Sequence, residues 1–404
     1  MTQETAHDDL IAAPGLTDAR ARLAGFAPHA GSAYAEGRNF DHGPGRHDAV
    51  STLSPYLKLR ALDEIDVTRA VLAHHSAEAA DKYLTEVFWR TYWKGWMEMR
   101  PGVWEQYLSD LNQLRDDVQT QSGLRARWED ACSGQTGIAP FDAWAQELVQ
   151  TGYLHNHARM WFASIWIFTL ELPWQLGADF FLRHLLDGDA AVNTLSWRWV
   201  AGIQTRGKSY LADPGNIARF TGGRFVGVRG LVSTAHPQEA PPNPDPMALP
   251  PCDTVPLASR YGLLLHDDDV NAERMRAAAP DAVAVAYADA SEGHSPWHIA
   301  PHVAAFRQAT AQSTLPEGQQ MDTLATAQAI ADWARENALE QIVAGYAPVG
   351  PVQQMFAAYR AIDGVPPINL MRRPLDSTAW PLATKGFFPF RKHIPDLIAR
   401  FARD

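Results

Sequence analysis

Residues 80–99, ADKYLTEVFWRTYWKGWMEM, repeat apolar and aromatic side chains every three or four positions. That is the period of an amphipathic helix. Residues 141–149, 155–169 and 179–186 show the same spacing, and no alternating strand pattern stands out before residue 237. Residues 237–256, PQEAPPNPDPMALPPCDTVP, are dense in proline and can continue neither a helix nor a central strand. They read as a linker. Beyond them short apolar runs at 261–265, 282–287, 341–345 and 367–371 alternate with helical patterns at 298–310, 323–338 and 351–361. Strands alternating with helices predict a parallel sheet covered by helices. The expected organisation is an all-helical domain over 1–235, a linker over 236–256 and a smaller α/β domain over 257–404.

Composition narrows the class. A chain of 404 residues holds two or three domains. Cys132 and Cys252 are the only cysteines, which implies no disulfide framework and suggests a reducing, cytoplasmic setting. The start, MTQETAHDDLIAAPGL, has neither the basic nor the apolar segment of a signal peptide. The longest apolar run, 161–170, is too short to span a bilayer and meets Glu171. The formal charge is −11: residues 1–250 carry 22 Lys and Arg against 29 Asp and Glu, and residues 251–404 carry 13 against 17. A DNA binder of this balance needs a local basic patch, for which Arg38, Arg90, Arg198, Arg206 and Lys208 are candidates.

Three clusters carry candidate chemistry. Glu86, Trp89 and Arg90 share one helix face, either as a salt-bridged edge or as the wall of a polar site. Asn156, Arg159 and Met160 share another. An arginine there needs a carboxylate or phosphate partner, and Asp187 and Asp189 in LLDGDAAVN are available. Asn193, Trp197 and Trp199 follow, with Trp174 upstream. These tryptophans read as core or as a chain of rings that passes electrons. The serine-rich turn STLSPYL, residues 51–57, caps a helix or holds phosphate. His155 and His157 flank Asn156, but no third ligand suggests a metal. Gly-rich dinucleotide fingerprints and G-x-S-x-G elbows are absent from the sequence.

Taken in order, YAEGRNF at Tyr34, STLSPYL at Ser51, EVFWRTYW at Glu86, the stretch from Trp128 to Met160 and DGDAAVNTLSWRW resemble the flavin domain of the DNA photolyase and cryptochrome family, over residues 34–225. The resemblance implies a helical FAD-binding domain followed by a smaller, Rossmann-like parallel-sheet domain, the reverse of the family's order. The ending TKGFFPFRKHIPDLI resembles the family's link out of its α/β domain. The resemblance also implies roles. Tyr34, Ser51, Ser54, Arg90, Arg159, Asp187, Asp189 and Asn193 would bind FAD, with Arg159 paired to Asp187 and Asn193 facing the flavin N5. Arg38, Glu86, Trp89, Asn156, Met160 and Trp199 would receive a flipped-out pyrimidine dimer. Glu86 and Asn156 would be catalytic, and Trp197 and Trp174 would feed electrons to the flavin. Asn156 and Met160 are similar to the cyclobutane-dimer type. The implied activity is light-driven dimer repair on damaged DNA, the alternative a blue-light sensor with a signalling partner. Three departures stand out. Residues 50–54 read VSTLS where the family has TSRLS, Val118 stands where a third tryptophan is expected, with Trp104 or Trp161 as substitutes, and His157 replaces an arginine. No antenna-binding residue is assigned.

Overall fold

The computed structural model describes residues 11–252 and 256–402. The periodic stretch at 80–99 forms the helix Asp81–Glu98, burying Tyr83, Leu84, Val87, Phe88 and Tyr92. Ala139–Thr151 and Asn156–Ser164 are the next two expected helices, the second running on as a π-helical turn, Ile165–Thr169. The helix expected from residue 179 instead begins at Trp174, directly after Pro173. The ends of Glu64–Leu72 and Ala190–Val200 are set by Asp63 and Asp189, whose carboxylates accept the first free N–H groups of each helix. Residues 237–252 have no regular secondary structure. They are strapped to the helical half: Met247 N–H donates to Met99 O at 2.9 Å, and Arg100 Nε donates to Pro244 O at 2.9 Å.

Among the described residues the second half holds five parallel strands, β1 (Tyr261–His266), β2 (Ala284–Ala288), β3 (Asp322–Leu324), β4 (Gln341–Gly345) and β5 (Ile368–Met371), in the order β3-β2-β1-β4-β5. Four coincide with the expected strands. The fifth, β3, is a three-residue edge strand with two exposed positions, too short to leave a pattern. Side chains alternate across the sheet. Leu264, Ala286 and Ile342 pack with Ile330, Trp333 and Phe356 on one face, whereas Leu263, Leu265 and Tyr287 join the core of the helical half.

The carboxyl edge of the sheet meets the helical half through buried charge. Lys58 Nζ donates to Asp267 O, Lys94 lies 3.4 Å from Asp268, and Arg60 reaches Asp269 at 3.4 Å and Asp376 at 2.9 Å. Arg373 closes the network on Glu64 at 2.7 Å. The last segment returns to the helices. Trp380 Cα leaves 2.7 Å for a Cβ at Gly95, and Phe387 stacks on Trp89 with centroids 3.5 Å apart.

Glu98 is buried in the same seam and accepts from Tyr346 Oη at 2.9 Å and from Val349 N–H. Burial pushes its carboxyl from 4.5 up to about 7. A carboxyl raised on folding stabilises the fold fully below pH 4.5 and loses that contribution as the pH rises through 7. Glu98→Gln, which keeps an acceptor without the charge, is expected to gain about 3 kcal/mol on the wild type between pH 5 and 8. Urea unfolding at the two pH values measures it. A pH-independent difference would mean that Glu98 is charged throughout.

Candidate functional site

The expected ion pair forms. Arg159 Nη1 lies 3.1 Å from Asp187 Oδ2, and its Nε donates to Leu154 O at 2.9 Å. Burial raises the Asp187 carboxyl, but Arg159, Arg90 and Ser54 more than offset this and hold it below its ordinary value. Asp189 lies two residues on. Its Oδ1 caps the helix Ala190–Val200 through Ala191 and Val192 N–H, each at 3.0 Å. Its Oδ2 faces Lys94 at 2.8 Å and Arg90 at 3.5 Å. Asn193, one turn along, is oriented by its Nδ2 donating to Ala178 O at 2.8 Å. Ser54, Arg90, Arg159, Asp187 and Asp189 therefore form one cluster. Sequence reasoning missed Lys94, although it lies one turn beyond Arg90 on the same helix.

A cavity of about 630 Å³ opens beside this cluster's serine-rich turn, lined by Arg22, His29, His47, Ser51, Thr52 and Gln150. Pockets of this size take cofactors. Arg22 Nη1 donates to Thr52 Oγ1 at 3.0 Å, and Thr52 sits at φ 49°, a left-handed conformation costly for a threonine. His47 Nδ1, His155 Nε2, Asp187 Oδ1 and both Glu147 oxygens are buried without a hydrogen bond. Of these, His47 lines the cavity, with Glu147 Oε1 3.6 Å from its Nε2, and the hydroxyls and cations of the lining fit a large, polar, phosphate-bearing cofactor. Arg22, His29 and His47 carried no motif in the sequence. Tyr34 packs against Tyr83 and Phe26, with Arg38 over its ring at 6.0 Å.

A second group gathers around Arg38. Arg38 Nη1 holds Glu86 Oε1 at 2.7 Å. The neighbouring Asn39 O lies 3.0 Å from His157 Nδ1, Tyr210 Oη lies 3.4 Å from His157 Nε2, and Trp199 stacks with Tyr210 at 5.9 Å. Asn156, exposed, opens the helix that carries His157 and the half-buried Met160. Trp89 differs from the rest: one of its faces is covered by Phe387. Burial raises the Glu86 carboxyl even though Arg38 opposes it.

The tryptophans divide. Trp197 lies 5.1 Å from Phe181 and 6.1 Å from Trp166 and presses on Gly177, where a Cβ would meet its ring at 2.3 Å. Trp174 stands 5.7 Å from Tyr107, which stacks on the buried Trp104 at 5.2 Å. Trp161 stacks on Trp144 and His157 instead. Val118 is buried. The expected basic patch is thinned as well. Arg38 and Arg90 are paired with carboxylates, and Arg198 donates to Asn243 at 2.7 Å, so Arg206 and Lys208 are its exposed members. Among the described residues no His, Cys, Asp and Glu group suits a metal, and no helix is long and apolar enough to cross a membrane.

Comparison with known proteins places these residues in context. Residues 83–220 match the family model described as the FAD binding domain of DNA photolyase. The chain is 32% identical over 203 residues to a deoxyribodipyrimidine photo-lyase of Vibrio cholerae, covering 47% of this chain and 40% of that protein. It is 34% identical over 163 residues to one of Streptomyces griseus, covering 39% and 33%. A class III photolyase structure from Agrobacterium tumefaciens is 28% identical, with a TM-score of 0.45, over 55% of this chain and 46% of that one. The chain thus spans less than half the length of the curated relatives it matches. Residues 83–220 are similar to the FAD-binding domain of DNA photolyases, which supports FAD as the cofactor of the helical half.

Proposed function

We propose that this protein splits cyclobutane pyrimidine dimers in DNA by light-driven, FAD-dependent chemistry. The observation that carries the reading is the buried Arg159–Asp187 and Arg90–Asp189–Lys94 cluster beside Asn193. Curated relatives bear the name of that activity. Bound FAD, reduced and excited by light, supplies the electron that breaks the dimer. The protein's own residues do the rest. Ser51, Ser54 and Tyr34 meet the phosphate and ribityl part, and the two ion pairs with Asn193 orient the ring. Trp199 offers a flat apolar face for a base taken out of the stack. Asn156 offers an amide to its edge. Glu86, oriented by Arg38 at 2.7 Å, hydrogen-bonds the dimer. Trp197, packed on Phe181 and Trp166, and Trp174, beside Tyr107, would pass electrons from an external donor toward bound FAD.

A blue-light sensor without repair activity is the second reading. Phe387 on Trp89 favours it, because a dimer must use the other face of the indole or displace the phenyl ring. So does the neutralisation of Arg38 and Arg90 by carboxylates.

Arg159→Ala leaves the buried Asp187 without its main partner. It is expected to cost about 3 kcal/mol and to release the flavin. Purified wild type should be yellow and the variant colourless, with a lower melting temperature. Unchanged absorbance and melting would remove Arg159 from the site. Trp197→Phe is expected to slow light-driven reduction of bound flavin by an external thiol by roughly tenfold or more, since a phenyl ring is a far weaker electron donor at a site tuned for one residue. Wild-type kinetics in the variant would point to another donor. Illumination of the reduced holoprotein with a dimer-containing oligonucleotide should split the dimer, less as salt rises. If the flavin cycles while no dimer is split at low salt, the sensor reading stands.

A further inference from the structure

The seam between the halves reaches the proposed flavin site at one point. Asp189 is fixed by two backbone bonds through Oδ1, so its Oδ2 has a set direction. Lys94 Nζ, 2.8 Å from that oxygen, also lies 3.4 Å from Asp268 Oδ1, and Lys58 Nζ lies 3.6 Å from the same Asp268 oxygen. Asp268 is the second residue beyond β1, on the sheet half. The side chains of Asp189, Lys94 and Lys58 are at most 5% exposed, and that of Asp268 is 12% exposed. Asp267, Arg307, His266 and His294 complete the titratable surroundings, with burial lowering both histidines.

Charges this buried are poorly screened and felt across several ångströms. Burial raises the Asp189 carboxyl, Lys94 and Arg90 more than offset it, and Asp268 pushes against them. The charge of a sheet residue is therefore sensed at a carboxylate of the FAD-binding domain.

We propose that Asp268 tunes the flavin from the other half of the chain: its negative charge, shared by Lys94 and Lys58, offsets the cation that faces Asp189 beside the isoalloxazine ring. This rests on the reading that Asp189 borders the flavin. The flavin's reduction potential then belongs to both halves. Reduction adds negative charge to the ring, so a nearby cation favours it and a nearby anion opposes it. Lys94→Met removes a cation and lowers the potential. Asp268→Asn removes an anion and raises it.

The test is a spectrophotometric redox titration of the full FAD-loaded chain. At a fixed poise near the wild-type midpoint, the ratio of reduced to oxidised flavin is expected to fall about threefold or more in Lys94→Met and to rise by a similar factor in Asp268→Asn, as partly screened unit charges at this range allow. The double variant should return toward wild type, and Lys94→Arg should restore it. Where Asp268→Asn does not fold, Asp268→Ser carries the same sign and keeps an acceptor for both lysines. General loosening would move all variants the same way. A common direction, or no shift at Asp268 with flavin fully bound, overturns the proposal. Wild-type protein that takes up no FAD overturns the flavin reading itself, and this proposal with it.

Discussion

Three consecutive acids past β1, Asp267, Asp268 and Asp269, constrain the whole molecule. All three are buried, and a buried carboxylate persists only with a cation and hydrogen bonds around it. Asp267 has Arg307 and His294, Asp268 has Lys58 and Lys94, and Asp269 has Arg60 and Arg274. Lys58, Arg60 and Lys94 come from the helical half. The two halves cannot separate, or slide by one residue, without stranding charge in the interior. Apolar contacts alone would bind the halves as tightly but would tolerate many alignments. The paired charges select one.

The place of this seam in the sheet explains its reach. Strand order reverses between β1 and β4, and the crevice beyond the carboxyl ends there is where open α/β sheets usually admit a ligand. In this protein side chains of the helical half enter it. Lys58 and Lys94 come in over β1, and Glu98 enters over the turn after β4. The crevice serves as a socket for a neighbouring domain, and the charges that fill it continue to Asp189.

Local features were readable from sequence. The period of 80–99 marks its helix, and the apolar runs mark four of five strands. An arginine in an apolar helix demanded a carboxylate, and Arg159 finds Asp187. What escaped was set by distance along the chain. Arg60 and Asp376, or Glu98 and Val349, belong to segments that carry no local sign of one another. Lys94 gave no sign of its role, because its two acidic partners lie far away along the chain. The basic patch was inferred from neighbours in sequence. It thinned because Arg38 and Arg90 turned to carboxylates on other elements.

The return of the last segment onto the helix Asp81–Glu98 bears on how the chain is made. Trp89, Tyr92 and Trp93 leave the ribosome long before Phe387 and Trp380, the residues that cover this stretch of the helix. Domains fold as they emerge, yet this aromatic strip has no complete lid until the sheet and its C-terminal tail are synthesised. Contacts so remote in sequence also close slowly. The nascent helical half therefore passes through a period with this aromatic strip uncovered.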